Sequence, residues 1–330
     1  MDVRADKSAI CLVMPIFNDW AALPRLLDNL ADAFRGSGGT LDIILVNDAS
    51  TEFEHFQIKN SATHDVISEI TIVDLGVNVG HQMAITAGLH YAQQHKAFTA
   101  VLIMDADGED EPRDAVKLVA AWRNQPDHVI AAQRTKRSES LIFRVSYGLY
   151  RAIFRVFTGH TISFGNFLLI PATLLPSILS RPELIHHVAA TLLRTRLPIT
   201  EVPTTRGRRY FGSSQMNVPA LVTHAIGALS VFSDVLFSRL LIGAAVVGSL
   251  CVIGSVVVAC LRFFTTLAFP NWATSVISFL TLLAVQALVL ILCFAFLMLT
   301  SRAAMLLTSM EVSRLVKGVR RYASNAAPVA

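Results

Sequence analysis

One run in this sequence reads Val101-Leu102-Ile103-Met104-Asp105-Ala106-Asp107-Gly108-Glu109-Asp110, an apolar segment that ends in closely spaced acidic residues. An apolar run of this length, followed by turn residues, predicts a buried strand that ends at the edge of a sheet. Carboxylates at such a point can share a Mg²⁺ ion, which usually binds one or two protein carboxylates together with water and substrate phosphate. Asp-x-Asp pairs also occur in solvated surface turns, so the run alone leaves both interpretations open.

The composition indicates a protein with membrane segments. Hydrophobic residues make up 53% of the 330 residues, more than a purely soluble chain needs. Residues 1–114 hold 7 Lys and Arg against 18 Asp and Glu, and the remainder holds 21 against 6. An acidic first part suits cations, and a basic second part suits phosphates and anionic lipid. Because the apolar segments lie in the basic part, nucleic acid is not an expected partner. The four cysteines have no paired spacing, so neither a disulfide framework nor a zinc site is expected.

Upstream of residue 133 the pattern alternates between strands and helices. Strands are predicted at residues 9–17, 41–46, 70–75, 100–104 and 128–132, and helices at 21–35, 82–94 and 113–123. This alternation predicts an α/β fold with a mainly parallel sheet. Ligands of such sheets bind beyond the carboxyl ends of the strands. Polar clusters at three of those ends (15–19, 47–50 and 105–107) are therefore expected to meet in one site, which favours the functional interpretation of the aspartates.

Two segments in the second part are long enough to cross a bilayer. Residues 240–261 and 273–301 contain no charged residue, and about 20 residues suffice for a ~30 Å hydrocarbon core. Residues 141–157 and 219–236 are amphipathic and are predicted as helices at the lipid interface, with an ordinary surface helix as the alternative for the first. Basic residues are frequent after the second segment, whereas Arg262 is the one basic residue between the segments. The positive-inside rule places both the N-terminal part and the tail in the cytoplasm.

The order of these clusters resembles the inverting family-2 glycosyltransferases with the GT-A fold. Within that family the chain is similar to the polyprenyl-phosphate group, which includes dolichyl-phosphate-mannose synthase and bactoprenol glucosyltransferases. The resemblance runs from residue 10 to the second apolar segment. It rests on five motifs, namely Leu12-Val13-Met14-Pro15-Ile16-Phe17-Asn18-Asp19, Leu45-Val46-Asn47-Asp48-Ala49-Ser50-Thr51, Asn78-Val79-Gly80-His81-Gln82-Met83-Ala84, Asp105-Ala106-Asp107, and Arg206-x-x-Arg209-x-x-Gly212-x-Ser214.

The resemblance implies a set of residues for each part of the reaction. Mg²⁺ or Mn²⁺ would be held by Asp105, Asp107 and Glu109, where it neutralises the leaving nucleoside diphosphate. The nucleotide-sugar, with uridine or guanosine, would contact Pro15, Phe17, Asp19, Asp48, Asn78, Gly80, Asp105 and Ala106. The acceptor phosphate would contact Arg134, Arg137, Ser138, Arg206 and Arg209, although surface solubility equally explains Arg137. The catalytic set would be Asp107, Asn166 and Arg134.

Two positions depart from the family pattern. Glu109 stands where the family commonly has Gln, and Gly165-Asn166-Phe167 stands where the family has Gly-Asp-Phe. Asn cannot act as a base, so its presence suits a phosphate acceptor, which is already anionic, better than a hydroxyl acceptor. The pair His186-His187 is expected to be structural and not a metal site.

These features predict a membrane-anchored enzyme that transfers one sugar, with inversion, from a nucleotide-sugar to a polyprenyl phosphate at the cytoplasmic face of a bacterial inner membrane. The predicted division is a catalytic domain over residues 1–215, a juxtamembrane helix over 216–238, two transmembrane helices within 239–302 and a basic cytoplasmic tail over 303–330. Membrane lipid is an expected partner, and a homo-oligomer remains open. The alternatives are a transferase of the same fold with a hydroxyl acceptor and a non-catalytic relative that binds the lipid carrier.

Overall fold

The computed structural model describes residues 9–37, 39–52, 66–134, 141–212, 218–264, 272–308 and 312–323. The strands are β1 Ala9–Ile16, β2 Thr40–Asn47, β3 Ile67–Leu75, β4 Ala100–Ile103, β5 Val129–Arg134, β6 Leu168–Pro171, β7 Ile199–Thr204 and β8 Val316–Ala323. The helices are α1 Leu23–Phe34, α2 His81–His95, α3 Pro112–Asn124, α4 Leu141–Thr158, α5 Leu175–Leu179, α6 Val188–Thr195, α7 Val218–Ser230, α8 Ser233–Phe264 and α9 Trp272–Thr308.

The eight strands form one sheet in the order β7-β5-β6-β4-β1-β2-β3-β8. The neighbours β1 and β2, β1 and β4, β2 and β3, and β5 and β7 run parallel. β6 runs antiparallel to both β4 and β5, and β8 runs antiparallel to β3. The predicted α/β fold with a mainly parallel sheet is therefore confirmed, with antiparallel additions that the sequence pattern did not indicate.

The central strands are apolar along their whole length because both faces of the sheet are covered. Along β1, Ile10, Leu12 and Met14 belong to the core under α1 and α3, whereas Cys11 and Val13 belong to the core under α2, α5 and α6. Successive side chains of a strand point to opposite faces, so one unbroken apolar run supplies both cores. Burial raises the pKa of the Cys11 thiol to about 12, so this thiol is a packing group.

Three strands of the sheet were not predicted. β6 has only four residues, and β7 and β8 contain polar or charged residues that hide a strand pattern. Of these strands, β8 lies furthest from its expected structure, because residues 303–330 are predicted only as a basic tail. In the structure, residues 316–323 of this tail form an edge strand hydrogen-bonded to β3. Residues 324–330 of the predicted tail lie outside the described residues.

The chain divides into two compact units. The first contains the sheet and consists of Met1–Ala152, His160–Val231 and Leu307–Ala330. The second consists of Ile153–Gly159 and Phe232–Leu306. In the second unit, Ser233–Phe264 and Trp272–Leu297 are long and apolar enough to cross a membrane. Within the stretch predicted as a juxtamembrane helix, residues 216–238, the structure has α7, which ends at Ser230, and residues 233–238 already belong to α8.

The two long helices run antiparallel. A side chain at Gly248 would lie 3.5 Å from Cβ of Ala287, and one at Gly254 would lie 3.2 Å from Leu280. As the residue number rises along α8 it therefore falls along α9. Small residues at such contacts let two helices approach closely, as in packed helix pairs within membranes. Residues 265–271, between the two helices, lie outside the described residues, and α9 begins at Trp272.

Candidate active site

The carboxyl ends of three neighbouring parallel strands meet at one edge of the sheet. Ile16 at the end of β1 pairs with Asn47 at the end of β2, and Val13 pairs with Ile103 at the end of β4. A cavity of about 330 Å³ opens at this edge. It is lined by Pro15, Ile16, Phe17, Asp19, Asp48, Asn78, Gly80, His81, Asp105, Ala106, Asp107 and Arg209. The structure thus brings together all eight residues predicted to contact the nucleotide-sugar, along with Asp107 and Arg209.

Asp48 fixes the loop that leads into α2. Its Oδ1 accepts a hydrogen bond from the Val79 N–H at 2.7 Å, and its Oδ2 accepts one from the Gly80 N–H at 2.9 Å. Burial raises the pKa of the Asp48 carboxyl, and these two N–H groups oppose that effect. Gly80 has φ +85°, a conformation that side chains with a Cβ rarely adopt. Asp48 and Gly80 together therefore set the position of the helix N-terminus at the cavity.

The acidic turn after β4 is held by hydrogen bonds between its own backbone N–H groups and its own carboxylates. The Asp105 N–H donates to Oδ2 of the buried Asp110 at 3.1 Å, and the Glu109 N–H donates to Oδ1 of Asp107 at 2.8 Å. Gly108 has φ +89°, and a Cβ there would lie 2.7 Å from the ring of Tyr210. Burial raises the pKa of the Asp107 carboxyl; the Glu109 N–H and the charge of Arg209 lower it, and the charges of Glu109 and Asp110 raise it further.

The segment after β7 packs onto this acidic turn. The Gly207 N–H donates to the Glu109 carbonyl at 2.8 Å, and the Tyr210 N–H donates to the Asp107 carbonyl at 2.9 Å. Between these bonds, Arg209 Nη2 donates to both carboxylate oxygens of Asp19, at 2.7 and 2.8 Å. Its Nη1 lies 3.5 Å from Oδ2 of Asp107. Arg209, expected from the sequence to contact an acceptor phosphate, therefore lies inside the cavity between two carboxylates.

Other predicted residues lie outside this cavity. Arg206 donates from Nε to Oε2 of Glu109 at 2.9 Å, so these two predicted site residues pair with each other. Asn166 precedes β6, and its buried Oδ1 has no hydrogen-bond partner within the described part of the chain. Arg134 is the last residue of β5 and pairs in register with Thr204 of β7. The two predicted acceptor contacts Arg137 and Ser138 lie outside the described residues.

His81 also lines the cavity, although it is not among the residues predicted for the site. His81 is the first residue of α2, and its Nε2 lies 3.4 Å from Oδ1 of Asp105. Its place directly after the Asn-x-Gly loop was the signal available in the sequence. The expected structural role of the pair His186-His187 agrees with the geometry of His187. Its side chain caps α6 by accepting from the Ala190 N–H at 3.3 Å.

The carboxylates of this cavity fit a divalent cation that is completed by substrate. Asp105 and Asp107 both line the cavity, and one oxygen of Asp107 accepts from the Glu109 backbone while the other faces Arg209. Within the described ranges, no three or more His, Cys, Asp and Glu side chains come together as a metal cluster. A Mg²⁺ ion usually takes only one or two protein carboxylates and fills its other positions with phosphate and water. This pair of aspartates matches that donor set.

Comparison with known proteins bears on the same region. The model of the Glycosyl transferase family 2 matches residues 11–173, which include every residue lining the cavity except Arg209. The uncharacterized glycosyltransferase YkcC of Bacillus subtilis is 24% identical over 228 residues, covering 67% of this chain and 68% of the relative. The undecaprenyl-phosphate 4-deoxy-4-formamido-L-arabinose transferase of Pectobacterium atrosepticum is 26% identical over 260 residues, covering 72% of this chain and 77% of the relative.

Among solved structures, the glucosyl-3-phosphoglycerate synthase of Mycobacterium tuberculosis, in complex with Mn²⁺, UDP and glucosyl-3-phosphoglycerate, superposes with a TM-score of 0.49. It is 14% identical, and the superposition covers 69% of this chain and 80% of that one. Similarity at this level bears on neither the ligand nor the acceptor of the present chain. The family match and the sheet topology carry the assignment, and they confirm the family expected from the sequence motifs. Residues 11–173 of this chain form a glycosyltransferase family 2 domain within a GT-A-type α/β fold.

Proposed function

We propose that the chain is a membrane-anchored inverting glycosyltransferase that moves one sugar from a nucleotide-sugar to a polyprenyl phosphate at the cytoplasmic face of the membrane. The observation that carries the proposal is the cavity at the strand ends, where Asp105 and Asp107 face Arg209 and the loop held by Asp48. Nucleotide ligands of open α/β sheets bind at this position. The family match over residues 11–173 supports sugar transfer as the chemistry.

The cavity suits a nucleoside diphosphate linked to a sugar. Its lining includes Phe17 and Asp19 from the loop after β1, and Asn78 and Gly80 from the loop before α2. When bound at Asp105 and Asp107, Mg²⁺ or Mn²⁺ would neutralise the charge that develops on the leaving diphosphate. Arg209 already sits between two carboxylates, and its planar fork is suited to a phosphate oxygen pair once the donor enters. These groups act where charge develops, which is where electrostatic stabilisation accelerates transfer most.

A phosphate acceptor accounts for the absence of a carboxylate at Asn166. In the proposed reaction an oxygen of the acceptor phosphate forms a bond to the anomeric carbon, and the bond from that carbon to the diphosphate oxygen breaks. The electron pair leaves with the diphosphate, and no proton has to be removed from the acceptor. A hydroxyl acceptor would need a base, and Asn166 cannot supply one. The name of the Pectobacterium relative, an undecaprenyl-phosphate transferase, supports the same acceptor class.

The arginines near the strand ends are proposed to bind the acceptor phosphate. Arg134 ends β5, and Arg206 lies in the segment that packs on the acidic turn. The two long apolar helices support an anchor that keeps the domain beside a lipid acceptor. The alternative of a non-catalytic carrier-binding relative is motivated by Asn166, but it gives no reason for the two aspartates, Asp105 and Asp107, that line the cavity beside Arg209.

The test of the donor half is direct binding. Purified full-length protein is titrated with UDP and with GDP, each in the presence of Mn²⁺, Mg²⁺ or a chelator. We expect one nucleotide to bind only with metal, and Asp107→Asn to weaken that binding at least about tenfold because one carboxylate oxygen is lost. The matched control is Asp32→Asn, an exposed aspartate on α1 that does not line the cavity. Binding that ignores the chelator, or that is equal in Asp107→Asn and wild type, would contradict the proposal.

A further inference from the structure

The strand that follows the apolar helices carries an arginine that joins a partly buried polar network. Arg320 of β8 donates from Nε to Oδ2 of Asp74 at 2.8 Å and from Nη2 to Oδ1 of Asp74 at 2.7 Å. This two-point pairing matches the planar fork of a guanidinium to a carboxylate. In the β3–β8 register Arg320 lies opposite Ile72, two residues before Asp74. Arg320 and Asp74 therefore form a diagonal side-chain pair across the two neighbouring strands.

Asp74 also accepts a hydrogen bond from Asn47, the last residue of β2. Asn47 Nδ2 donates to Oδ1 of Asp74 at 2.7 Å, and Asn47 Oδ1 accepts from the Ser50 N–H at 3.0 Å. Asn47 is only 8% exposed, so both of its polar atoms need these partners. The next residue is Asp48, whose carboxylate holds the loop that leads into α2. Asn47 thus holds the turn after β2, from which Asp48 reaches the cavity.

Ser50 then holds the loop after β1. Its Oγ accepts from the Asn18 N–H at 3.1 Å and from Trp20 Nε1 at 3.0 Å. Asn18 lies between Phe17 and Asp19, which both line the cavity. Asn18 and Ala49 have φ of +59° and +53°, a left-handed backbone that residues other than glycine keep only when the surroundings enforce it. Here the hydrogen bonds of Ser50 and Asn47 hold the two residues in this backbone conformation.

We propose that Arg320 is a positioning residue for the nucleotide-sugar site, acting through Asp74, Asn47 and Ser50 on the loops that carry Phe17, Asp19 and Asp48. This inference rests on the proposed function. It makes β8, which the chain reaches only after both apolar helices, a working part of the donor site. A domain that ended before the helices would lack β8 and would bind donor more weakly.

Arg321 provides a matched control on the same strand. It has the same charge and lies on the opposite face of β8, where its Nη2 donates to the Tyr91 hydroxyl at 3.1 Å and its Nε lies 3.9 Å from Glu69. Neither of these contacts leads to the cavity loops. Removal of either arginine deletes one cation and one ion pair at the sheet edge, so general effects on charge and strand pairing are shared.

The experiment compares Arg320→Gln, Arg320→Lys and Arg321→Gln in the full-length protein. The probes are UDP and GDP with Mn²⁺, titrated directly, and thermal unfolding is followed in parallel. We expect Arg320→Gln to weaken nucleotide binding about tenfold, because residues within one network couple by that order. Arg320→Lys should fall between Arg320→Gln and wild type, since lysine keeps the charge and loses the fork. Arg321→Gln should bind within about twofold of wild type, as expected for a surface ion pair.

The outcomes separate this inference from the proposal it rests on. If wild type binds nucleotide with metal, and Arg320→Gln binds as tightly as Arg321→Gln, the positioning role is wrong and the proposed function stands. If wild type binds neither nucleotide, the proposed function fails and the inference fails with it. If Arg320→Gln does not fold, Arg320→Lys decides, and affinity equal to wild type in a folded Arg320→Lys protein would overturn the role of the fork.

Discussion

At the scale of single residues, a carboxylate at the cavity can fix the backbone around it in addition to the ligand contact proposed for it. Asp48 uses both oxygens on the N–H groups of Val79 and Gly80, and it is only 3% exposed. The resemblance to the family implies that Asp48 contacts the nucleotide-sugar. The geometry adds a second role, because this side chain also decides where the Asn78 loop and the start of α2 lie.

The first prediction concerns Asp48→Asn. An amide has a single acceptor oxygen, so its NH₂ group would face one of the two N–H donors and leave that donor unpaired. We expect a loss of unfolding free energy of about 1–3 kcal/mol, the cost of one unsatisfied buried donor. Chemical denaturation of the detergent-solubilised protein measures it. Asp32→Asn, on the exposed surface of α1, should change stability by less than about 0.5 kcal/mol. Equal stability of Asp48→Asn and wild type would contradict the assigned hydrogen bonds.

A second prediction at this scale concerns His187. Burial, and then the neighbouring His224 and His81, lower the pKa of His187 from 6.5 to about 3. Its Nδ1 accepts from the Ala190 N–H, and its Nε2 lies 3.1 Å from Nε2 of His224. Below pH 6.5 the unfolded chain takes up a proton that the folded chain refuses until about pH 3. Stability contributed by the neutral His187 is therefore full above pH 6.5 and is lost as the pH falls.

Thermal unfolding at pH 7, 6 and 5 tests this sign. Wild type should lose stability as the pH falls, and His187→Asn should lose less, because asparagine can cap α6 without titrating. His187→Ala removes the cap as well and should be less stable than His187→Asn at every pH. Identical pH slopes for wild type and His187→Asn would show that His187 is not the group that takes up the proton on unfolding.

At the scale of elements, the position of α2 is set by a glycine. Gly88 is buried in the middle of α2, and a Cβ there would lie 2.5 Å from Val13 of β1 and 2.7 Å from Val46 of β2. These are distances that packed side chains do not tolerate. The helix therefore approaches the sheet more closely than a helix with alanine at this position could. That approach brings His81, at the N-terminus of α2, to the cavity.

Gly88→Ala should therefore destabilise the protein. We expect about 1–3 kcal/mol, the usual cost of forcing extra volume into a packed core, and weaker nucleotide binding because α2 must move away from the sheet. The control is Gly148→Ala in α4, where the added methyl group meets no atom within 4 Å. At this exposed position inside a helix, replacing glycine by alanine should raise the unfolding free energy by about 0.5–1 kcal/mol. A Gly88→Ala protein as stable as wild type would mean that α2 is not held against β1 and β2 as described.

Local patterns predict the elements that have a local cause. Residues 100–104 are one apolar run and become β4, and the acidic turn follows where the run ends. No local pattern predicts β8, because its partner strand β3 lies about 250 residues earlier. The role of Arg320 likewise becomes visible only from its pairing with Asp74 in the folded sheet. Arg209 is a similar case. Its basic loop is visible in the sequence, whereas its pairing with Asp19, 190 residues away, depends on the folded sheet.

At the scale of the whole molecule, β8 constrains the side of a membrane on which the parts of the chain before and after the apolar helices lie. β3 precedes the apolar helices and β8 follows them, and the two strands are hydrogen-bonded in one sheet. If both helices cross a membrane, the parts of the chain before and after them must therefore lie on the same side. The positive-inside rule predicts the same arrangement from charge, with both parts in the cytoplasm. Strand pairing and charge are therefore two independent arguments for a helical hairpin whose two ends lie on the same side of the membrane.

The central claim is transfer of a sugar to polyprenyl phosphate, and the most direct measurement is label recovered in lipid. Full-length protein in vesicles is given labelled nucleotide-sugars with polyprenyl phosphate, or with polyprenol as the hydroxyl control, in the presence of Mn²⁺ or a chelator. We predict label in the phosphate-linked lipid from one donor, none with polyprenol, and a loss of at least about a hundredfold with chelator or Asp107→Asn. Transfer to polyprenol instead, or transfer that Asp107→Asn leaves unchanged, would contradict the account.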